Sequence, residues 1–169
     1  MNMKIKFIKQ ANELSDMNYN NCEFNFTKPC TCTFLCLSRA VIDGTEVSSN
    51  RYIGSVHEPF ACCNLVYLVN DENKNVKYRI AGDCCQSGFF FCSDIFFNIY
   101  PEGNSEMKKE NAIGKITKKW TDCIKEVCTN ANNFTCDFPE NATAEDKILL
   151  IALTLFIDYT LFEKEKGQN

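Results

Sequence analysis

Apolar and polar residues alternate with a period of two along most of this chain. Ile5 and Phe7 alternate with Lys4 and Lys6, and Phe24 and Phe26 flank Asn25. Val76, Tyr78 and Ile80 alternate with Lys77 and Arg79, and Phe134, Cys136 and Phe138 alternate with Thr135 and Asp137. Successive side chains of a strand point to opposite faces, so this period predicts strands buried on one face. Further strands are expected over 33–42, 51–57, 64–70, 90–100 and 112–118. Turn residues separate them at Asp43-Gly44, 70–75, 81–83 and 101–104. The result is about nine short strands at roughly 8–14-residue spacing, as in an antiparallel barrel or sandwich.

Two segments depart from this period. Residues 121–129 place Ile124, Val127 and Cys128 at helical spacing, which predicts a short amphipathic helix. The second departure opens with Thr143-Ala-Glu-Asp146, a capping-box signature, and predicts a helix over about 144–164. Its apolar positions are Ile148, Leu149, Leu150, Leu153, Leu155, Phe156, Ile157, Leu161 and Phe162, with Asp158 among them. The apolar run 148–162 amounts to about 22 Å of helix, short of the roughly 30 Å of a bilayer core. A carboxylate within hydrocarbon is unfavourable as well. Length and charge therefore favour a helix packed in the protein's own core over a membrane span.

Composition narrows the chemistry. The chain of 169 residues is 45% hydrophobic and carries a net charge of −4, which suits one globular domain over 1–169 and excludes a nucleic-acid binder held by overall charge. A single histidine, His57, leaves no second imidazole for Ser-His-Asp or Cys-His catalysis, and neither a P-loop nor a zinc helix of the HExxH type is present. No bond-breaking activity is expected. The first residues contain no apolar stretch of signal-peptide type, so the default expectation is a reducing compartment. There the twelve cysteines read as thiols, metal ligands or lipidation sites before they read as disulfides. The cluster Cys30, Cys32, Cys36 lacks the C-x-x-C spacing of a zinc site.

The C-terminal third carries a resemblance. The segments GKITKKWTDCIKEVCTNANNFTCDFP (114–139) and ILLIALTLFIDYTLFE (148–163) resemble the C-terminus of phospholipid scramblases. Gly114, Lys115, Ile116, Lys118, Trp120, Asn133, Phe134, Phe138, Pro139, Ile157, Asp158 and Phe162 fall on that family's pattern, and CTCTFLC (30–36) and YIGSV (52–56) match upstream. The resemblance implies a mainly β, tubby-like antiparallel barrel with a C-terminal hydrophobic helix packed against or inside it. The barrel is expected to be incomplete, because the family's Pro-rich tail and first strands lie before the position of Met1.

The resemblance also implies a function. It points to bidirectional, passive translocation of phospholipids at the cytoplasmic face of the plasma membrane, with membrane phospholipids as partners and a homo-oligomer left open. It places S-acylation on Cys30, Cys32 and Cys36, and a Ca²⁺ site across Asn130, Asn132, Asp137, Glu140 and Asn141. The residues themselves temper the calcium expectation. The positions that are acidic in the family are amides at Asn130, Asn132 and Asn141, and charge count governs Ca²⁺ affinity. A half-buried strand followed by a polar turn is the alternative reading of that segment. The lysines around Trp120 read either as a nuclear-import signal, by resemblance, or as a solvated strand end. A tubby-like lipid- or protein-binding module without transport, or a non-functional fragment, are the competing readings of the whole chain.

Overall fold

The computed structural model describes residues 2–6, 23–27, 41–60, 64–83, 86, 93–103, 107–120 and 133–163. Among the described residues nine strands form one antiparallel sheet whose spatial order is the order of the chain. They are β1 (Asn2–Lys6), β2 (Glu23–Thr27), β3 (Val41–Glu46), β4 (Tyr52–His57), β5 (Asn64–Asn70), β6 (Val76–Asp83), β7 (Ile95–Pro101), β8 (Gly114–Lys119) and β9 (Asn133–Asp137). The sheet curls into a half-barrel. The helix α1 (Ala144–Ile157) packs on it and runs on as a π-helical segment, Asp158–Glu163.

The alternation drives the curl. Phe24 and Phe26 of β2, Tyr78 and Ile80 of β6, and Ile95, Phe97 and Ile99 of β7 are buried and pack in one cluster with α1. Their neighbours Asn25, Arg79 and Phe96 face outward. A helix apolar on all sides is stable only when surrounded. Accordingly Ile148, Leu149, Leu150, Leu153, Phe156 and Ile157 are all buried, and Leu155 is the one large α1 side chain that is exposed. The ring of Phe156 meets that of Tyr67 edge-on, with centroids 6.1 Å apart. Thr154, buried mid-helix, donates its hydroxyl to the Leu150 carbonyl at 2.8 Å, so the helix keeps its polar atoms satisfied internally.

Glycine sets the closeness of helix and sheet. Gly54 in β4 has φ +143°, and a Cβ there would fall 2.8 Å from Leu149 Cδ1 and 2.3 Å from the Asn70 carbonyl oxygen. A larger residue would push α1 away from the sheet.

Two predicted turns are strand instead. Asp43-Gly44 lies inside β3, and the chain reverses at 47–50. Gly44 is there for packing: a Cβ would sit 2.7 Å from the Phe26 ring, and the register shifts between Gly44 and Thr45. Residues 81–83 likewise continue β6, with Ala81 opposite Val66 and Asn98. Of the strand expected over 33–42 only 41–42 are described, and they open β3; within the described residues the strand expected over 90–100 is β7, from Ile95. Phe7 and the helix expected over 121–129 lie outside the described residues.

Candidate functional site

The N-terminal end of α1 is tied to the sheet. Thr143 caps the helix: its hydroxyl accepts from the Asp146 N–H at 3.3 Å, while the Thr143 N–H donates to Asp146 Oδ2 at 2.8 Å. The expected capping box is therefore present in both directions. Its carboxylate does more than cap. Asp146 is 3% exposed, and the same Oδ2 accepts from Lys77 Nζ at 2.7 Å and from the Tyr78 hydroxyl at 3.1 Å. Burial and the Asp146 carboxylate push the Tyr78 hydroxyl up to about 12. Beside this lock, Arg51 Nη2 donates to Glu145 Oε1 at 3.1 Å, with Glu46 and Glu72 as further carboxylates at 3.7 and 3.6 Å. Neither Lys77 nor Tyr78 was singled out from the sequence. They lie about seventy residues from Asp146, and the only local signal, the capping box, explains that carboxylate without them.

The C-terminal end is looser. Asp158 caps α1 where the helix widens, and is half-buried. Leu161 packs half-buried against the core, and the Thr160 hydroxyl donates to the Phe156 carbonyl at 2.8 Å. The Phe162 side chain lies outside the described residues.

At the far end of β8 the lysines divide. Lys119 is exposed and Lys115 half-buried, whereas Lys118 is fully buried with its ammonium 3.4 Å from the centroid of the Trp120 ring. The expectation of a solvated lysine face thus fails at Lys118. Strand alternation turns it to the inner side with Ile116, and the indole face supplies a cation-π contact. The Trp120 backbone N–H donates to Asp94 Oδ1 at 3.1 Å, which fixes the strand end.

Of the expected calcium ligands, Asn130 and Asn132 lie outside the described residues, as do Cys30, Cys32 and Cys36. Asp137 is an exposed residue of β9 opposite Lys115, and Glu140 and Asn141 are exposed in the turn that follows Pro139. Among the described residues no three His, Cys, Asp or Glu side chains converge as a metal would require. Phe134 and Cys136 point to the core instead, and burial, with Asp137 alongside, pushes the Cys136 thiol up to about 12. That thiol is accordingly unreactive at neutral pH. His57 closes β4 opposite Val41 and Leu68.

The outer face of the sheet carries a feature the alternation alone did not reveal. Phe96, Met107 and Ile113 are exposed. Lys115 Nζ sits 5.4 Å from the Phe96 ring centroid. Phe96 and Met107 also line a pocket with Asp83, Asn98, Tyr100 and Lys109. No described helix is long and apolar enough to cross a membrane.

The class defined so far is an antiparallel half-barrel wrapped on an apolar C-terminal helix. Comparison with known proteins identifies the family: the model of the Scramblase family matches residues 14–164, and the chain belongs to that family. Phospholipid scramblase 2 of Bos taurus is 26% identical over 143 residues, which are 83% of this chain and 46% of the relative. Phospholipid scramblase 1 of Homo sapiens is 28% identical over 117 residues, 69% of this chain and 35% of the relative. Phospholipid scramblase family member 5 of Homo sapiens is 27% identical over 134 residues, 79% and 45%. The chain thus spans about a third to a half of the length of these curated relatives. No solved structure matches it.

Proposed function

We infer that this protein works at a phospholipid membrane as a scramblase-type protein, allowing lipids to exchange passively between leaflets. The family match over residues 14–164 carries this reading. The outer-face combination of Phe96, Met107 and Ile113 with Lys115 supports it, because apolar tips beside lysines suit the boundary of acyl chains and headgroups. The tubby-like comparison belongs to the same reading. Anchoring falls to S-acylation of Cys30, Cys32 and Cys36 at the cytoplasmic face of the plasma membrane, where two or more chains give a stable attachment. No bond is broken in scrambling, so no catalytic residue is assigned. With α1 enclosed by its own sheet, headgroups do not cross along that helix in this fold, and transport calls for an assembly or for release of α1. The same enclosure favours a second reading, a lipid- or protein-binding module that translocates nothing.

Calcium enters as a weak regulator. Asp137 and Glu140 are the carboxylates of the segment, and Asn130, Asn132 and Asn141 supply only neutral oxygens. The affinity expected is roughly in the 10⁻⁴–10⁻³ M class. Reconstitution into vesicles with fluorescent lipid, with and without Ca²⁺, separates the readings. Lipid exchange above empty vesicles supports the scramblase reading, and binding without exchange supports the module. Membrane partition should fall when Cys30, Cys32 and Cys36 are all changed to Ser.

A further inference from the structure

The pocket on β6 and β7 is built from both signs of charge. In β6, Tyr78 and Ile80 turn into the core, which leaves Arg79, Ala81 and Asp83 on the outer face. Ala81 stands opposite Asn98 of β7, and its small side chain leaves room between Arg79 and Asp83. A cavity of about 150 Å³ results, lined by Ala81 and Asp83, by Asn98 and Tyr100 of β7, and by Lys109. Gln86, also on the lining, grips β7: its Nε2 donates to the Phe96 carbonyl at 2.7 Å and its Oε1 accepts the Phe96 N–H at 2.8 Å. Tyr100 is 2% exposed, yet it stands outside the core cluster. Burial pushes its hydroxyl up, Asp83 adds to the rise and Asn98 opposes it, so these three polar groups lie together and the hydroxyl keeps its proton at neutral pH.

The charges select the ligand. Asp83 and Lys109 are exposed and line one pocket, but among the described residues neither makes an ion pair, with each other or with a third group. A ligand of one sign would satisfy one of them and meet like charge at the other, whereas a zwitterion satisfies both. The cavity is well below the roughly 300–1,000 Å³ of pockets for drug-sized ligands, so a group of headgroup size is the largest that enters. Phe96 and Met107, which also line it, are 41% and 37% exposed and offer apolar contact to whatever continues beyond the polar group. We propose that this pocket binds a zwitterionic phosphoamine, the chemistry of an ethanolamine phospholipid headgroup, with its ammonium toward Asp83 and its phosphate toward Lys109. The need for two opposite charges comes from the pocket itself; the choice of a phosphodiester as the anionic half rests on the membrane reading above. A phosphoamine free in solution presents the same two charges.

Saturation-transfer NMR of the full chain with glycerophosphoethanolamine tests it. A dissociation constant on the order of 1 mM is expected for so small a ligand. Ethanolamine, which lacks the phosphate, and glycerol phosphate, which lacks the ammonium, should each bind at least about threefold more weakly. Asp83→Asn and Lys109→Gln should each weaken the whole ligand by about threefold to tenfold, the first without weakening glycerol phosphate and the second without weakening ethanolamine. Ala81→Leu fills the cavity and should abolish binding, and far-UV circular dichroism establishes that each variant is folded. Flotation with phosphatidylethanolamine vesicles separates the two sources: retention that falls in Ala81→Leu assigns a lipid headgroup, and unchanged retention assigns the free phosphoamine. No binding of glycerophosphoethanolamine by the folded wild type, equal binding of either half, tighter binding of the free amino acid glycine, or indifference to both charge variants would overturn the proposal. Lipid exchange in the same vesicles keeps the scramblase reading separate. Exchange without headgroup binding sinks the pocket alone, and headgroup binding without exchange sinks transport alone.

Discussion

The two ends of the C-terminal helix are held by different physics. At the N-terminal end, three polar groups, one from the helix cap and two from β6, converge on one carboxylate: Asp146 Oδ2 takes the Thr143 N–H, Lys77 Nζ and the Tyr78 hydroxyl. At the C-terminal end the last turn carries no basic residue, the helix widens into a π-helical segment, and Leu161 is only partly covered. Between them the apolar middle is closed on almost every side. The contrast shows that a helix apolar enough to suggest a membrane is placed by its polar start. The capping box ends the chain's freedom at Thr143, and the β6 pair Lys77 and Tyr78 decides where on the sheet the helix begins.

The largest effect should come from the closed middle. Phe156→Ala removes a fully buried ring that meets Tyr67, and unfolding by denaturant should show a loss of about 3–5 kcal/mol. The lock comes next. Asp146→Ala leaves Tyr78 and a partly exposed Lys77 without their shared acceptor, for a loss of about 2–3 kcal/mol. Asp146→Asn, which keeps an acceptor oxygen, should lose less.

The lock also has a pH signature. The Tyr78 hydroxyl ionises at about 12 in the folded chain against an ordinary value near 10. A group raised on folding stabilises fully below its unfolded value and loses that contribution as pH rises through its folded value. Stability from Tyr78 is therefore intact below pH ~10 and declines between about 10 and 12. Over that window the wild type should lose on the order of 2 kcal/mol relative to Tyr78→Phe, read as converging melting curves.

The C-terminal end should be the tolerant one. Leu161→Ala, at a half-covered site, is expected to lose about 1 kcal/mol. Arg51→Ala should change stability by less than about 1 kcal/mol, because its ion pairs with Glu46, Glu72 and Glu145 are solvated. A C-terminal substitution as damaging as Phe156→Ala would erase the contrast between the two ends.

Much of the fold is legible in single residues. The alternation at Val76, Tyr78 and Ile80 and at Phe134, Cys136 and Phe138 marks β6 and β9, and Thr143 with Asp146 marks the start of α1. The misread positions share a cause: each is fixed by what its side packs against rather than by the residue's usual preference. Asp43-Gly44 looks like a turn because glycine usually breaks strands, yet here it makes room for the Phe26 ring. Lys118 looks solvated because lysine usually is, yet Trp120 and the strand's alternation take it inside. The site is less legible than the fold. Local spacing gives the cap at Asp146 but not its partners on β6, and it gives Asp137 but not that Lys115 stands opposite. Outward Phe96 becomes informative only when Met107 and Lys115 are brought beside it.

Enclosure of the apolar helix by its own sheet is tested most directly by amide hydrogen exchange along α1 in the full chain, without and then with phospholipid vesicles. Segments on the buried stretch 148–157 should be protected to near the global unfolding limit before any lipid is added, and vesicles should leave that protection unchanged. Rapid exchange over 148–157 without lipid, with protection appearing only when vesicles are present, would contradict this and place the helix in the bilayer instead.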